Sequence, residues 1–350
     1  MKSPITGKEM PLVTEKRTMD FRKEHFQIVF HYYKCEDSGE QFTTTNLDEI
    51  NLNQLYNQYR DKFNIPFPDE IIAIRQKYGV SASKMAEILG FGINSYRQYE
   101  AGEMPSVSNA RLIQMISDPD KFIDLARLCE SLDEKTKEKY IQKANVLIEE
   151  RTRNSFAFNI KNYLLGNHLA DAFSGYRNPS FEKFTEMVVY FSEHIKPYKT
   201  KMNKLLFYAD FLMFKQSCFS ISGVRYHAID MGPVPHNFQS VFEYLANKDE
   251  IDIHYKEFSD GGFGEQFIAR ADRPFNSTLF SDSELEVLNK VVNTFKTTST
   301  NEIIELSHLE KAWKENEQAK NVISYEYAFE FCHGIPVRHV RRLPRQHGYE

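Results

Sequence analysis

A chain of 350 residues exceeds one ordinary domain and suits two or three. Its 41% apolar and 14% aromatic content, with 28 Phe and 19 Tyr, is enough for packed cores and excludes a largely disordered polypeptide. A formal net charge of −5 excludes a uniformly basic surface, so nucleic-acid binding would have to be confined to one face of one module. The cysteines Cys35, Cys129, Cys218 and Cys332 lack framework spacing and read as reduced thiols. The opening MKSPITGKEM has no signal-peptide apolar stretch, and no run of about 18 apolar residues offers a membrane span. A cytoplasmic protein with no membrane partner is the expectation.

In chain order, residues 10–43 read as strands. In HFQIVFHYY, Phe26, Ile28, Phe30 and Tyr32 alternate with His25, Gln27, Val29 and His31, the period of a half-buried strand. NLDEINLNQLYNQYRDKFNIPFPDE then turns helical, and Pro66 and Pro68 mark a boundary. From Pro68 to about Glu130 come five short helices punctuated by Gly79, Gly90 and Gly102, with Ser81 as an N-cap. A charged helical connector covers 133–154. The region from Ser155 alternates helices (SFEKFTEMVVYFSEHI, KTKMNKLLFYADFLMFKQ, HNFQSVFEYLANKD, SDSELEVLNKVVNTFKT) with strands (VRYHAID, IDIHYKEFS, EQFIARA), the last two joined by a DGGFGE turn. The fold class is multidomain α+β: a small β-ribbon (1–65), an all-α helix-turn-helix domain (66–132), the connector, a helix-rich α+β domain with a small antiparallel sheet (155–334), and a basic tail (335–350).

SASKMAEILGFGINSYRQYEAGEMPS, residues 81–106, carries the strongest DNA-related signal. A helix-turn-helix needs a short first helix, a glycine turn and a second helix whose outer face is polar enough for a major groove. Met85, Ala86 and Leu89 would pack inward, Gly90 to Gly92 would turn the chain, and Ile93 with Tyr96 would anchor the second helix. Asn94, Ser95, Arg97 and Gln98 would face out, and Ser83 and Lys84 complete the candidate DNA-binding set. Asn94 and Gln98 can pair with adenine, and Arg97 with guanine or phosphate. Asn94 as a helix cap and Arg97 as a solvated surface residue are the competing readings. The segment resembles the Xre/Cro-type family, including its aromatic-Glu-x-Gly ending, here Tyr99-Glu100-Ala101-Gly102. It departs at Ala82, where that family often has a glutamine that fixes the phosphate backbone. From Asp69 to Glu130 seven Lys/Arg face nine Asp/Glu, so weak, salt-sensitive binding by a homodimer on two half-sites is expected.

Short knuckles at 3–6 and 35–38 flank a hairpin ahead of this module. That order resembles the MqsA-type antitoxins, whose zinc-binding N-terminal domain precedes an Xre-like domain. The resemblance places the metal-ligand positions at Ser3, Thr6, Cys35 and Ser38, so three of four thiolates are missing. Hydroxyls do not replace thiolates on tetrahedral zinc. A metal-free ribbon held by Phe26, Phe30, Tyr32 and Phe42, with no cofactor, is expected.

In residues 201–245, Lys204-Leu205-Leu206-Phe207-Tyr208 lies on a helix, followed by a strand and then by Gly232-Pro233-Val234-Pro235 leading into another helix. This order resembles the Panacea domain, found in antitoxins against many unrelated toxins and in the SocA-like proteolytic adaptor. LLFYADFLMF is apolar nearly all round and should be a buried centre. Within it Tyr208 and Asp210 need partners, for which Arg225 or His227 could serve. A satisfied structural network competes with partner binding for these residues. Gly232, Pro233 and Pro235 read as a rigid turn, with toxin contact as the second reading.

No H-E-x-x-H, G-x-x-x-x-G-K-[ST] or G-x-S-x-G occurs, and the GGFG segment lacks the following helix of a dinucleotide site. His227, His236 and His254 read as structural or surface residues, so a non-enzyme is expected. The resemblances imply an antitoxin that binds and blocks a cognate toxin through its C-terminal domain and represses its own promoter DNA. The alternative is a transcriptional regulator or proteolytic adaptor, and an enzyme with an unrecognised site ranks behind both.

Overall fold

The computed structural model describes residues 1–153, 155–257 and 262–331, which form two compact units that divide between residues 160 and 161. The expected basic tail at 335–350, Cys332 and residues 258–261, which include the start of the expected DGGFGE turn, lie outside the described residues. Among the described residues no helix is long and apolar enough to cross a membrane.

The first unit opens with a hairpin of β1 (Leu12–Phe21) and β2 (Glu24–Lys34), to which β3 (Gln41–Phe42) adds a short third strand. Arg22 and Lys23 turn the hairpin at φ 47° and 70°. Phe26, Ile28 and Tyr32 are buried, as the alternation predicts, but so is His31, on the face assigned to solvent. The reason is α1 (Thr45–Phe63), which runs along the open edge of β2. Its amide side chains take the place of a missing strand. Gln54 accepts from the Val29 amide and donates to the Val29 carbonyl, both at 2.9 Å, and Asn51 does the same for His31 at 2.8 and 3.0 Å. Gln58 donates to the Gln27 carbonyl at 2.9 Å. An exposed strand edge invites pairing with another chain, and these amides close it.

Five short helices follow: α2 (Pro68–Lys77), α3 (Ala82–Ile88), α4 (Ser95–Glu100), α5 (Val107–Met115) and α6 (Pro119–Leu128), then the long α7 (Glu134–Arg153). Ser81, Ser106 and Asp118 cap α3, α5 and α6 with side-chain acceptors, as their residue types favour. Phe26, Ile28, Leu55, Tyr59 and Ile65 share one apolar cluster with Met104 and Ala110, so ribbon and helices pack on a common core. Arg60, 2% exposed, donates to the Gly102 carbonyl at 2.7 Å, and Arg22 donates to the Met104 and Pro105 carbonyls at 3.0 Å.

After α8 (Ser155–Leu165), the second unit is built around α10 (Lys199–Ser217), every residue of which from Lys201 through Phe211 is buried. Around it lie α9 (Phe181–His194), β4 (Tyr226–Ile229), β5 (Gly232–Pro235), α11 (Phe238–Asn247), the hairpin of β6 (Asp252–Glu257) and β7 (Phe263–Ile268), α12 (Asp282–Phe295), α13 (Thr300–Leu309), α14 (Lys311–Lys314) and β8 (Val322–Ile323). The small sheet runs β5-β4-β8. The GPVP segment is therefore β5, an antiparallel strand with Pro233 opposite Ala228 and Pro235 opposite Tyr226, and not the turn its two prolines suggested. Prolines are tolerated there because β5 is the edge strand and needs no outward amide donor.

Candidate DNA interface and the buried motif of the C-terminal unit

The candidate DNA-reading residues sit on α3, α4 and the turn between them. Met85, Ala86, Ile88 and Leu89 bury one side of α3, and Tyr96 and Tyr99 one side of α4. The Tyr96 hydroxyl donates to the Ile71 carbonyl at 2.9 Å. Asn94, Arg97 and Gln98 are exposed on the opposite side and Ser95 is half-buried. Asn94 occupies the N-cap position, yet its side chain makes no cap hydrogen bond, so capping does not consume it. Ser83 and Lys84 are half-buried on α3. There Ser83 Oγ lies 3.2 Å from Ser81 Oγ, and the Lys84 amine is paired with Glu87 at 2.8 Å. Ile93, expected as an anchor, is instead 68% exposed.

The aromatic-Glu-x-Gly ending is scaffolding. Glu100 accepts two hydrogen bonds from Arg75 of α2, at 2.5 and 3.3 Å, and Arg75 also donates to the Val80 carbonyl at 3.0 Å. The Tyr99 hydroxyl accepts from Asn109 at 2.8 Å. Both charges of the Arg75–Glu100 pair are mostly buried, so removing one leaves the other unpaired in poor solvent. Glu100→Ala should cost about 2–3 kcal/mol in the first unit, read by chemical denaturation. A loss below about 0.5 kcal/mol, the range of ordinary surface substitutions, would remove this role.

The knuckle positions do converge. Ser3 Oγ donates to Cys35 Sγ at 3.3 Å, Thr6 Oγ1 lies 3.9 Å from it, and Ser3 Oγ also accepts from the Ile5 and Thr6 amides. Hydrogen bonds from Ser3, then from the Ser38 side chain and backbone, pull the buried Cys35 thiol down to about 6. One sulfur among hydroxyls is a poor zinc set, and among the described residues no group of three or more His, Cys, Asp or Glu is arranged to hold a metal. Metal analysis of the purified protein should find far less than one zinc per chain, and Cys35→Ser should leave the ribbon folded. A full equivalent of tightly bound zinc would contradict this.

In the second unit, Lys204, Tyr208 and Asp210 are all fully buried. The partners of Asp210 are not Arg225 or His227. Its carboxylate accepts from the Ile221 and Ser222 amides at 2.8 Å, from Ser222 Oγ at 2.5 Å and from the Tyr226 hydroxyl at 2.8 Å. Strand parity explains the difference: Tyr226 and Ala228 point inward from β4, while His227 faces the other way, its Nε2 3.2 Å from His236 Nδ1. Arg225 pairs with Asp171. Burial pushes the Asp210 carboxyl up, and its hydrogen bonds oppose that shift. Tyr208 stacks on Phe295 with ring centroids 4.9 Å apart.

Lys204 reaches from α10 to β5, where its amine donates to the Pro233 carbonyl at 3.0 Å. Gly232, at φ +90°, makes room for it: a Cβ there would stand 2.7 Å from Lys204 Cε and 2.5 Å from Ser307 Oγ. The lysine of the KLLFY run and the glycine of the GPVP run are thus two halves of one contact. Gly232, Pro233 and Pro235 are buried, and Arg225 is half-buried.

Burial brings the Lys204 amine down to about 7 from 10.5. Between those values the unfolded chain binds a proton that the folded chain does not, so folding stability rises with pH across that window and is flat below it. Thermal unfolding of wild type and Lys204→Met at about pH 6.5 and about pH 9.5 should show a wild-type gain that the variant lacks. Parallel behaviour of the two proteins would contradict it.

Residues 1–127 match the family model described as the antitoxin component of bacterial toxin-antitoxin system, MqsA. Residues 202–314 match the model described as antitoxin SocA-like, Panacea domain. Comparison with curated proteins gave no match. One polypeptide thus joins an N-terminal segment similar to the MqsA antitoxins to a C-terminal segment similar to the SocA-like Panacea antitoxins, which supports an antitoxin role in a toxin-antitoxin system.

Proposed function

We propose that the protein neutralises a cognate toxin by binding it directly through the second unit, and represses its own promoter through the polar face of α4. The observation that carries this reading is the pairing of two antitoxin-type segments in one chain. The exposed Asn94, Arg97 and Gln98 beside a rigidly held Glu100 support the DNA half, with Ser95, Ser83 and Lys84 at its margin. In the second unit the motif residues Lys204, Tyr208, Asp210, Gly232, Pro233 and Pro235 hold the fold, and the toxin meets other residues on its surface. Arg225, tied to Asp171, belongs with them. Action is by occlusion, in the cytoplasm, and two half-sites would be filled by a homodimer.

A gel shift with the DNA upstream of the coding sequence tests the DNA half. Wild type should retard it in a salt-sensitive way, and Asn94→Ala and Arg97→Ala should each weaken binding about fivefold or more, the worth of a specific base contact. Unchanged binding by both variants would remove α4 as the reading element. For the toxin half, the adjacent reading frame expressed alone should arrest growth, and co-expression should restore it. A harmless neighbour, or one that stays toxic, favours the regulator or adaptor reading.

A further inference from the structure

The exposed Ile93 is unexplained by packing. It stands one residue before the N-cap of α4, where an apolar side chain normally closes onto the fourth helical residue. That residue here is Gln98, polar and exposed, so the closure has no apolar partner and Ile93 is left 68% exposed. Its immediate neighbours Gly92 and Asn94 are exposed as well, and the next apolar residue back, Phe91, turns inward against Tyr99 at 6.1 Å between ring centroids. Ile93 therefore stands as an exposed apolar side chain in the turn that leads into α4, directly before Asn94.

In a major groove the largest apolar feature of a base edge is the thymine C5-methyl, and aliphatic side chains read it by contact. We propose that Ile93 is a specificity-determining residue that reads one thymine methyl next to the base pairs addressed by Asn94 and Gln98. The contact is made by the side chain and needs no backbone donors of the short α4. This rests on the DNA-binding reading above. It predicts a site in which one thymine is preferred for its methyl group and for no hydrogen bond.

The test uses the intact protein and a randomised duplex library. The enriched duplex is remade with each thymine in turn replaced by deoxyuridine, which deletes the methyl and keeps base pairing. At one position wild type should lose about three- to fivefold in affinity, the worth of one buried methyl. Ile93→Ala should bind with similar affinity to thymine and uracil at that position, and should retain the preferences set by Asn94, Arg97 and Gln98. A uracil penalty of equal size in wild type and Ile93→Ala, or no penalty at any position, overturns the proposal while leaving DNA binding intact. A change in oligomeric mass for Ile93→Ala would assign the residue to a contact between copies and overturn it likewise. Failure to enrich any duplex removes the DNA-binding reading itself, and this proposal with it.

Discussion

Asp210→Ala should unfold the second unit at ordinary temperature. The carboxylate gathers two amides and two hydroxyls at full burial, and it ties α10 to the Ile221–Ser222 segment and to β4. Alanine leaves all of these donors in an apolar interior. At about 1–3 kcal/mol for each of the four donors left unpaired, the loss is about 4–12 kcal/mol, comparable with the whole stability of a typical domain at about 5–15 kcal/mol. Asp210→Asn keeps an acceptor for the amides, and the hydroxyls of Ser222 and Tyr226 can rotate to accept from the new amide, so its loss should be less than half as large. Thermal unfolding followed by circular dichroism measures both. Near-native stability of Asp210→Ala would show that the network is not what holds α10 in place.

Gly232→Ala should be nearly as damaging, for a different reason. The residue sits at φ +90°, a conformation that costs an L-residue about 1 kcal/mol or more, and its new methyl would overlap both Ser307 Oγ and the Lys204 side chain. The Ser307 side chain is fully buried and bonded to the Ile304 carbonyl at 2.8 Å, so it has little room to yield. Overpacking of this kind adds about 1–3 kcal/mol, for a total of about 3 kcal/mol. Chemical denaturation would read it. In a background that carries Ser307→Ala and Lys204→Ala, both overlapping side chains are gone and Gly232→Ala should cost only its backbone part. A single variant with a loss below about 0.5 kcal/mol, the size of an ordinary surface change, would contradict the close approach.

The elements legible in the sequence are those fixed by local chemistry. Glycines at 79, 90 and 102 adopt positive φ where helices stop, and Ser81 caps α3 as its position suggests. The long apolar run of α10 reads as buried because it offers no polar face. What escaped was non-local. Nothing near Asp210 reveals which face of β4 turns toward it, and a one-residue parity error exchanged Tyr226 for Arg225 and His227. The prolines of β5 suggest a turn because sequence does not show that the strand lies at an edge. His31 is buried where α1 lies along the strand edge, and its backbone partner there, Asn51, comes twenty residues later in the chain. Ile93 misleads in the opposite sense: an apolar residue beside a helix start is read as core, and only the placement of Gln98 shows that its closure is unmade.

The KLLFY and GPVP runs mark the C-terminal unit because they are two sides of one buried contact between Lys204 and Gly232-Pro233. A buried contact of that kind marks a fold by its interior.

Direct binding is the central claim, and mixing the intact purified protein with the purified product of the adjacent reading frame tests it. The two should co-elute as one complex of defined stoichiometry, and the toxin's activity should fall to background as that complex forms. Cells rescued by co-expression while the purified proteins stay apart, or a complex in which the toxin remains fully active, would contradict neutralisation by occlusion.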